Sequence, residues 1–348
     1  MAIPRKRRTT RQIEDLPNLF DSIEIDMTRR DIAGDVIAEH SRHESEAAAS
    51  QTVDIAPEAL RRPEALRFIS LGSGSSGNCA YIGTAKQGLL IDAGVDNKNV
   101  EKTLRDNGID IATIAGILLT HDHSDHVRFA FSLLRTNRHM QLFCTPRTLN
   151  GLLRRHSISR RINDFHKPIY KEFPFEVAGF TVTAFETSHD GSDNVGFAID
   201  RGDHHFVVTT DTGYITERAD HYMRLANYLM LESNYDAGML RRGRYPEYLK
   251  ARIMSQRGHM DNADSAAYVA GLLTAAGAGK VLTHIFLCHL SDDNNTPDTA
   301  LTAMRTAIEG CGHTVGDASG SPTALACSVQ LTALPRYDAS PLYVFRRR

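Results

Sequence analysis

From position 66 onward the chain is written in short apolar, β-branched runs broken by Gly, Asn and Asp, the punctuation of strands and tight turns. Residues 67–71, 80–82, 88–92 and 116–120 read as one set of strands, and 173–187, 195–200, 205–210, 228–231 and 281–288 as a second. Helical spacing appears over 100–107, where Val100 and Leu104 lie one turn apart, and over 127–137, around 265–276 and over 298–309. A strand-rich stretch followed by helices therefore occurs twice. That duplicated texture predicts two sheets packed face to face with helices outside, a four-layer αββα sandwich of the α/β class. No repeat with a period of 20–50 residues accompanies it.

Residues 1–66 lack this pattern. They mix acids and bases, and the run 39–51 sets His40, His43 and several alanines among charged residues, so they read as a polar, partly disordered extension, leaving 67–348 as the folded domain. The opening cluster Arg5, Lys6, Arg7 and Arg8 never leads into an apolar stretch, which argues against a secretory signal and for a solvated terminus. With 348 residues, 41% hydrophobic and 24% charged, the whole is an ordinary globular composition. Five scattered cysteines without a CxxC pair argue against a disulfide framework or a cysteine zinc site and for a reducing, cytoplasmic setting. No apolar run approaches the roughly 18 residues of a membrane span. Secreted, membrane and fibrous classes are thereby excluded.

Two motifs mislead. Gly72-Ser-Gly74-Ser-Ser-Gly77, with Asp92 downstream, fits the glycine pattern of a dinucleotide-binding turn, but the strand pattern that follows leaves no room for the helix such a turn must open. Asp211-Thr-Gly213 resembles an aspartic-protease triplet, yet no second copy exists to pair the carboxylates. The informative run is His121-Asp-His123-Ser-Asp125-His126 after the apolar strand 116–120. His121 and His123, two apart in extended chain, point the same way and can share one ion, while Asp125 and His126 can turn to another.

This H-x-H-x-D-H run resembles that of the metallo-β-lactamase-fold hydrolases. The resemblance extends in order to His189 after a strand, to Asp211 in a strand-end turn and to His289 after the strand 281–288, covering roughly residues 67–312. Residues 70–78, 231–236, 245–246, 249–253, 258–259 and 289–295, and the closing strand sought within 331–343, are similar to the YycJ/WalJ group, exonuclease-like metal-dependent hydrolases. Met260-Asp261 departs from that group's usual Leu-Ser and puts the hydrogen bonding beside His259 in question.

The resemblance implies that His121, His123 and His189 bind one divalent ion and Asp125, His126 and His289 a second, with Asp211 bridging. Such donors suit Zn²⁺, Mn²⁺ or Fe. Two ions about 3.5–4 Å apart clamp the attacking and leaving oxygens of a displaced phosphate, with a metal-activated hydroxide as nucleophile that Asp125 can orient. Of His284 and His289, five apart on one strand, only one can face the site, and the polar run after His289 selects it. His259 implies a contact to the substrate phosphate or protonation of the leaving oxygen, a helix cap being the other reading. Glu232 and Asn234 are expected to hold ligating imidazoles, Ser75, Ser76 and Asn78 to meet substrate, and Asp92 to do either; ordinary turn hydrogen bonding is the competing account of all six. The remaining histidines read as surface or core.

The net charge of −2 averages unlike segments: +8 over 127–172, +5 over 241–257 and −7 over 181–240. If the basic segments flank the metals they form a track for a phosphate backbone; if not, they are solvated helix faces. The expected activity is a dinuclear-metal phosphodiesterase acting on nucleic acid, DNA foremost, as an exonuclease-like enzyme. The alternatives are hydrolysis of a cyclic or small phosphodiester, a thioester or a lactam, and a non-catalytic metal-binding regulator.

Overall fold

The computed structural model describes residues 64–275, 282–317 and 328–346. The polar extension and its basic cluster lie, up to residue 63, outside the described residues, as does Cys327. The other four cysteines are free thiols.

An antiparallel meander opens the fold: β1 (Leu66–Gly72), β2 (Cys79–Gly83) and β3 (Gly88–Ile91). Helix α1 (Asn97–Asp106) then crosses over to β4 (Ile114–Leu118), which runs parallel to β3, as parallel pairing requires. The short helices α2 (Ser124–Val127) and α3 (Ala130–Thr136) lead to β5 (Gln141–Cys144), and α4 (Pro146–Arg155) leads to β6 (His166–Pro168). The second half repeats the plan. An antiparallel run of β7 (Phe175–Val177), β8 (Phe180–Glu186), β9 (Val195–Arg201) and β10 (His204–Thr209) is followed by α5 (Glu217–Met223) and the parallel β11 (Tyr228–Glu232). Helices α6 (Ala237–Arg242), α7 (Glu247–Ile253) and α8 (Asn262–Thr274) precede β12 (His284–Cys288), and α9 (Pro297–Gly310) precedes β13 (Val315–Asp317), β14 (Val329–Ala333) and β15 (Tyr343–Phe345).

One sheet has the order β15-β1-β2-β3-β4-β5-β6 and the other β13-β14-β12-β11-β10-β9-β8-β7. Strand alternation explains how both faces of each sheet are covered. In β11, Tyr228 and Met230 point between the sheets while Leu229 and Leu231 pack under helices; in β12, Phe286 and Cys288 point inward and Ile285 and Leu287 outward. The inter-sheet layer is dominated by Phe68, Phe197, Phe206 and Phe286. Separate apolar layers seat α1, α3 and α4 on one sheet and α5, α8 and α9 on the other. Strands buried on both faces read as continuous apolar runs, which is the pattern seen in the sequence.

The expected four-layer sandwich is thus observed, with local differences. The strand expected over 173–187 is a hairpin, β7 and β8, turned at Ala178 and Gly179 with φ of +50° and +67°. The helix expected over 127–137 is two helices separated at Arg128–Phe129. The closing strand sought within 331–343 is two strands in different sheets: β14 pairs with β12, and β15 returns to pair with β1. The intervening segment latches the turn after β1, because Ser73 N donates to Pro335 O (3.1 Å) and Ser340 N to Ser70 O (2.8 Å). Arg336 reaches Leu290 O and ion-pairs with Asp292. After Gly72–Gly77 the chain enters β2 directly, with no helix, as the rejected dinucleotide reading required.

Candidate metal centre

Every strand that supplies a site residue ends at the same edge of the sandwich. Asp92 follows β3, His121 to His126 follow β4, His189 follows β8, Asp211 follows β10, Glu232 ends β11 and His289 follows β12. Three of these, Asp92, Asp211 and His289, take left-handed backbone with φ of +59°, +49° and +54°. Non-glycine residues pay about 1–3 kcal/mol for that conformation, and it persists where surrounding contacts over-determine it. Here it turns Asp211 and His289 off their strands into a common pocket and Asp92 onto the Nδ1 side of His126.

The donor atoms fall into overlapping groups within 4.8 Å of one another: His121, His123 and His189; Asp125, His126 and His289; His121, His126 and Asp211; and Asp211, Glu232, His259 and His289. The two trios expected from the sequence are thus brought together, with Asp211 between them. His126 Nε2 lies 3.2 Å from Asp211 Oδ2 and 3.5 Å from Asp125 Oδ2, His289 Nε2 lies 3.4 Å from the same Asp125 oxygen, and His189 Nε2 lies 3.2 Å from His123 Nδ1. Close approach of backbone permits this crowding: a Cβ on Gly94 would collide with the carbonyl of Asp125.

Every site imidazole except His123 is oriented through its other nitrogen. His126 Nδ1 pairs with Asp92 Oδ2 at 2.7 Å, and His189 Nδ1 donates to Gly258 O at 2.8 Å. His289 Nδ1 and His259 Nδ1 both donate to Glu232 Oε1, at 2.9 and 2.7 Å. His121 Nδ1 meets Thr120 Oγ1 at 3.0 Å, and Thr120 in turn bonds Asp92. These contacts leave the opposite nitrogen of each ring facing the pocket, the arrangement that outer partners impose on metal-binding histidines. His121 Nε2 is buried and meets no hydrogen-bond partner among the described residues. A buried unpaired lone pair is costly, and a cation at that point satisfies it, so the residues present fit divalent metal.

Electrostatics divides the histidines. Burial, helped by the neighbouring His126, pushes His121 well below the ordinary imidazole range; burial takes His123 down to about 4 and lowers His189 as well. These three are neutral at pH 7, the state a ligating imidazole needs. Burial acts on His126 too, yet Asp211, Asp92 and Asp125 outweigh it and hold the ring well above its usual value. The same contest, won by Asp211, Asp125 and Glu232, lifts His289 up to about 10. Burial opposes ionisation of the acids, but the imidazoles bring Asp125 down to about 2 and Asp211 well below its usual range. Positive charge is thus favoured where the carboxylates converge, which is the charge a divalent cation would bring.

The residues of uncertain role separate. Asn78 Nδ2 reaches Asp125 Oδ2 at 3.2 Å, and Asn234 Nδ2 holds His289 O at 2.7 Å. Asp92 and Glu232 hold imidazoles as described. Ser75 and Ser76 are exposed and their side chains bond no site residue; the serine of that turn that touches the site is the buried Ser73, whose Oγ accepts from His289 N at 2.9 Å. His284 packs against Phe345 and Tyr228, away from the pocket. Asp261 caps α8 by accepting from Asp264 N, so the departure at 260–261 leaves His259 on Glu232.

Other contacts carry no sequence signal because they join distant residues. Asp190 lies 3.3 Å from His123 Nε2 and is gripped by two Arg252 hydrogen bonds, 2.6 and 3.0 Å. Buried Asp122 faces away from the donor cluster and ties the His189 loop down through Ser192 N and Oγ, 2.8 and 2.7 Å. His156, expected at the surface or in the core, bonds Asp122 O. Of the basic segments, Arg147 and Lys171 from the first and Arg257 from the second meet His189 along one cleft of about 300 Å³. Others are neutralised locally, Arg155 by Asp122, Arg252 by Asp190 and Lys250 by Glu247.

Comparison with known proteins adds lineage to this geometry. The family described as "Beta-lactamase superfamily domain" matches residues 88–285. "Exodeoxyribonuclease YycJ" of Bacillus anthracis is 35% identical over 254 residues, 73% of this chain and 93% of that protein. "Exodeoxyribonuclease WalJ" of Streptococcus pneumoniae is 31% identical over 239 residues, 68% of this chain and 86% of that protein. Among solved structures, the metallo-β-lactamase fold protein YhfI from Bacillus subtilis covers 81% of this chain and 100% of its own, with a TM-score of 0.57 at 16% identity, a likeness of fold. Among the described residues no helix is long and apolar enough to cross a membrane.

Proposed function

The chain belongs to the β-lactamase superfamily as a YycJ/WalJ-like, metallo-β-lactamase-fold, metal-dependent hydrolase, and from that premise we propose that it hydrolyses phosphodiester bonds in DNA as an exonuclease. The observation that carries the reading is the convergence of seven donors in two trios around Asp211, beside a cleft lined by Arg147, Lys171 and Arg257; the names of the two relatives point to the same substrate.

In this reading His121, His123 and His189 would hold one ion and Asp125, His126 and His289 a second, with Asp211 within reach of both groups. Divalent cations held there, Zn²⁺ or Mn²⁺ by donor chemistry with Fe also suited, would supply water activation and offset the charge that builds on the phosphate. Asp125, partly open to the pocket, accepts a hydrogen bond from the attacking water and so fixes its direction. His259 keeps Nδ1 on Glu232 and turns Nε2, which bonds no described residue, toward the pocket, where it donates to a phosphate oxygen or protonates the leaving oxygen. Asp92, Glu232 and the Gly258 carbonyl hold the rings still. Arg257, anchored on His189 O, presents positive charge to the strand.

The test is metal analysis together with digestion of end-labelled single- and double-stranded DNA and RNA, wild type beside Asp125→Ala. Stepwise shortening of DNA from one end by the wild type, lost in the variant, is the expected result. Cleavage of a small chromogenic phosphodiester without cleavage of any nucleic acid overturns it.

A further inference from the structure

The cleft beside His189 continues into a second cavity of about 620 Å³ that no candidate metal donor lines, the two sharing Arg147 and Ser192. Arg147, Asn150, Leu153, Arg154, Arg160 and Ser192 line this second cavity, and no carboxylate does. Positions 147, 150 and 154 recur on one face of α4, so Arg147 and Arg154 stand about 10 Å apart along the helix, further than one phosphate group can bridge. Arg160 enters from the 3₁₀ turn that follows.

Among the described residues these three arginines share one cavity without a counter-ion. Lys171, in the first cleft, is pinned by Asp193 at 2.7 Å, and the neighbours Arg155 and Arg161 pair with Asp122 and Asp164. The side chains of Arg147, Arg154 and Arg160 make no ion pair or hydrogen bond among the described residues. Three guanidinium groups facing one cavity repel each other, and no carboxylate lines that cavity to offset them. A polyanion resolves the mismatch, since guanidinium forks match phosphate oxygens. Tyr214, 47% exposed on the first cleft, adds an aromatic face suited to a base.

We propose that the Arg147–Arg154–Arg160 cavity is a subsite for the sugar-phosphate backbone of a nucleic-acid strand, holding phosphates remote from the bond being cut. The proposal rests on the phosphodiesterase reading for its link to turnover but not for binding. It makes the enzyme selective for length: a strand that reaches the cavity is held by contacts a short substrate cannot make. Because each phosphate contact releases condensed counter-ions, it also assigns part of the salt dependence to named residues.

The test uses the full chain and the exposed double substitution Arg154→Ala/Arg160→Ala. Turnover of bis(4-nitrophenyl) phosphate, too small to reach the cavity, stays within twofold of wild type, which also reports that the variant is folded. Affinity for a fluorescein-labelled 20-nucleotide single strand, read by anisotropy, falls tenfold or more. The slope of log affinity against log salt becomes shallower by roughly 1.4, at about 0.7 per single-strand phosphate contact. Unchanged affinity and slope overturn the subsite whether or not DNA is cut. Weaker binding in the variant, with no cleavage of nucleic acid by wild type, retains the subsite and removes the nuclease reading. Binding of poly-glutamate with no binding of the oligonucleotide overturns the subsite in favour of an acidic protein partner.

Discussion

Glu232 is the residue whose replacement separates architecture from chemistry. It is fully buried, and its two oxygens divide the work: Oε1 accepts from His259 and His289, Oε2 from the backbone N–H of Thr212 and Met260 at 2.8 and 3.2 Å. Burial opposes its charge, but the His259 imidazole and the hydrogen bonds from both histidines hold the carboxyl below its usual range. Glu232→Gln keeps the shape and opens no cavity, yet its single carbonyl oxygen can serve only one donor pair, while its NH₂ faces the other. Two charge-assisted hydrogen bonds are lost, each about 1.5–3 kcal/mol, so the variant is less stable by about 3–6 kcal/mol. With His289 no longer oriented, metal affinity falls roughly 10- to 100-fold. Urea unfolding gives the first quantity and competition with a chelator the second. A lowered carboxyl stabilises the fold above its unfolded value of 4.5 and loses that contribution as pH falls through its folded value, so the Gln variant also lacks this acid dependence. Wild-type stability together with wild-type metal affinity would refute the reasoning, because nothing else touches all four donors.

Two further outcomes follow from single side chains. His259→Ala retains both metals by elemental analysis and loses a hundredfold or more in turnover; loss of metal places His259 among the structural supports and removes it from the reaction. His284 is pushed by burial from 6.5 down to about 4, so the unfolded chain takes up the proton first: stability is intact above pH 6.5, falls as pH drops toward 4, and changes by about 3 kcal/mol in all. His284→Leu removes that part of the acid sensitivity, read as the change in urea midpoint between pH 7 and pH 4, and an unaltered pH dependence shows that the ring is not held neutral.

The sequence was most informative where chemistry is local. His121, His123, Asp125 and His126 crowd into one strand-end turn, and the family resemblance added His189, Asp211 and His289, each after an apolar strand, so their convergence could be expected from the sequence. Glu232 and Asn234 stood out for the same reason, as polar residues closing a buried strand. Partnerships across the fold were silent: nothing in a linear reading joins Asp190 to Arg252 or His189 to the carbonyl of Gly258. Backbone strain was equally hidden, because the left-handed positions hold Asp92, Asp211 and His289 where a reader looks for glycine. β5 and α4 escaped notice because 138–155 mixes arginines, threonines and single apolar residues without a long periodic run. The paired closing strands were misjudged because periodicity says which face of a strand is buried and not which sheet it joins.

The return of the chain to its own beginning sets an order of events during synthesis. β1 cannot complete its outer edge until β15 is made, some 270 residues later, and the Ser73 turn and the His289 loop are latched by Pro335 and Arg336. A growing chain therefore carries an unpaired apolar edge for most of its synthesis, the condition under which strands seek wrong partners. The histidines proposed as metal ligands are all translated before the segment that locks them. Hydrolytic competence is then among the last properties the chain acquires, and an unfinished copy released early is expected to be an aggregation hazard rather than a stray hydrolase.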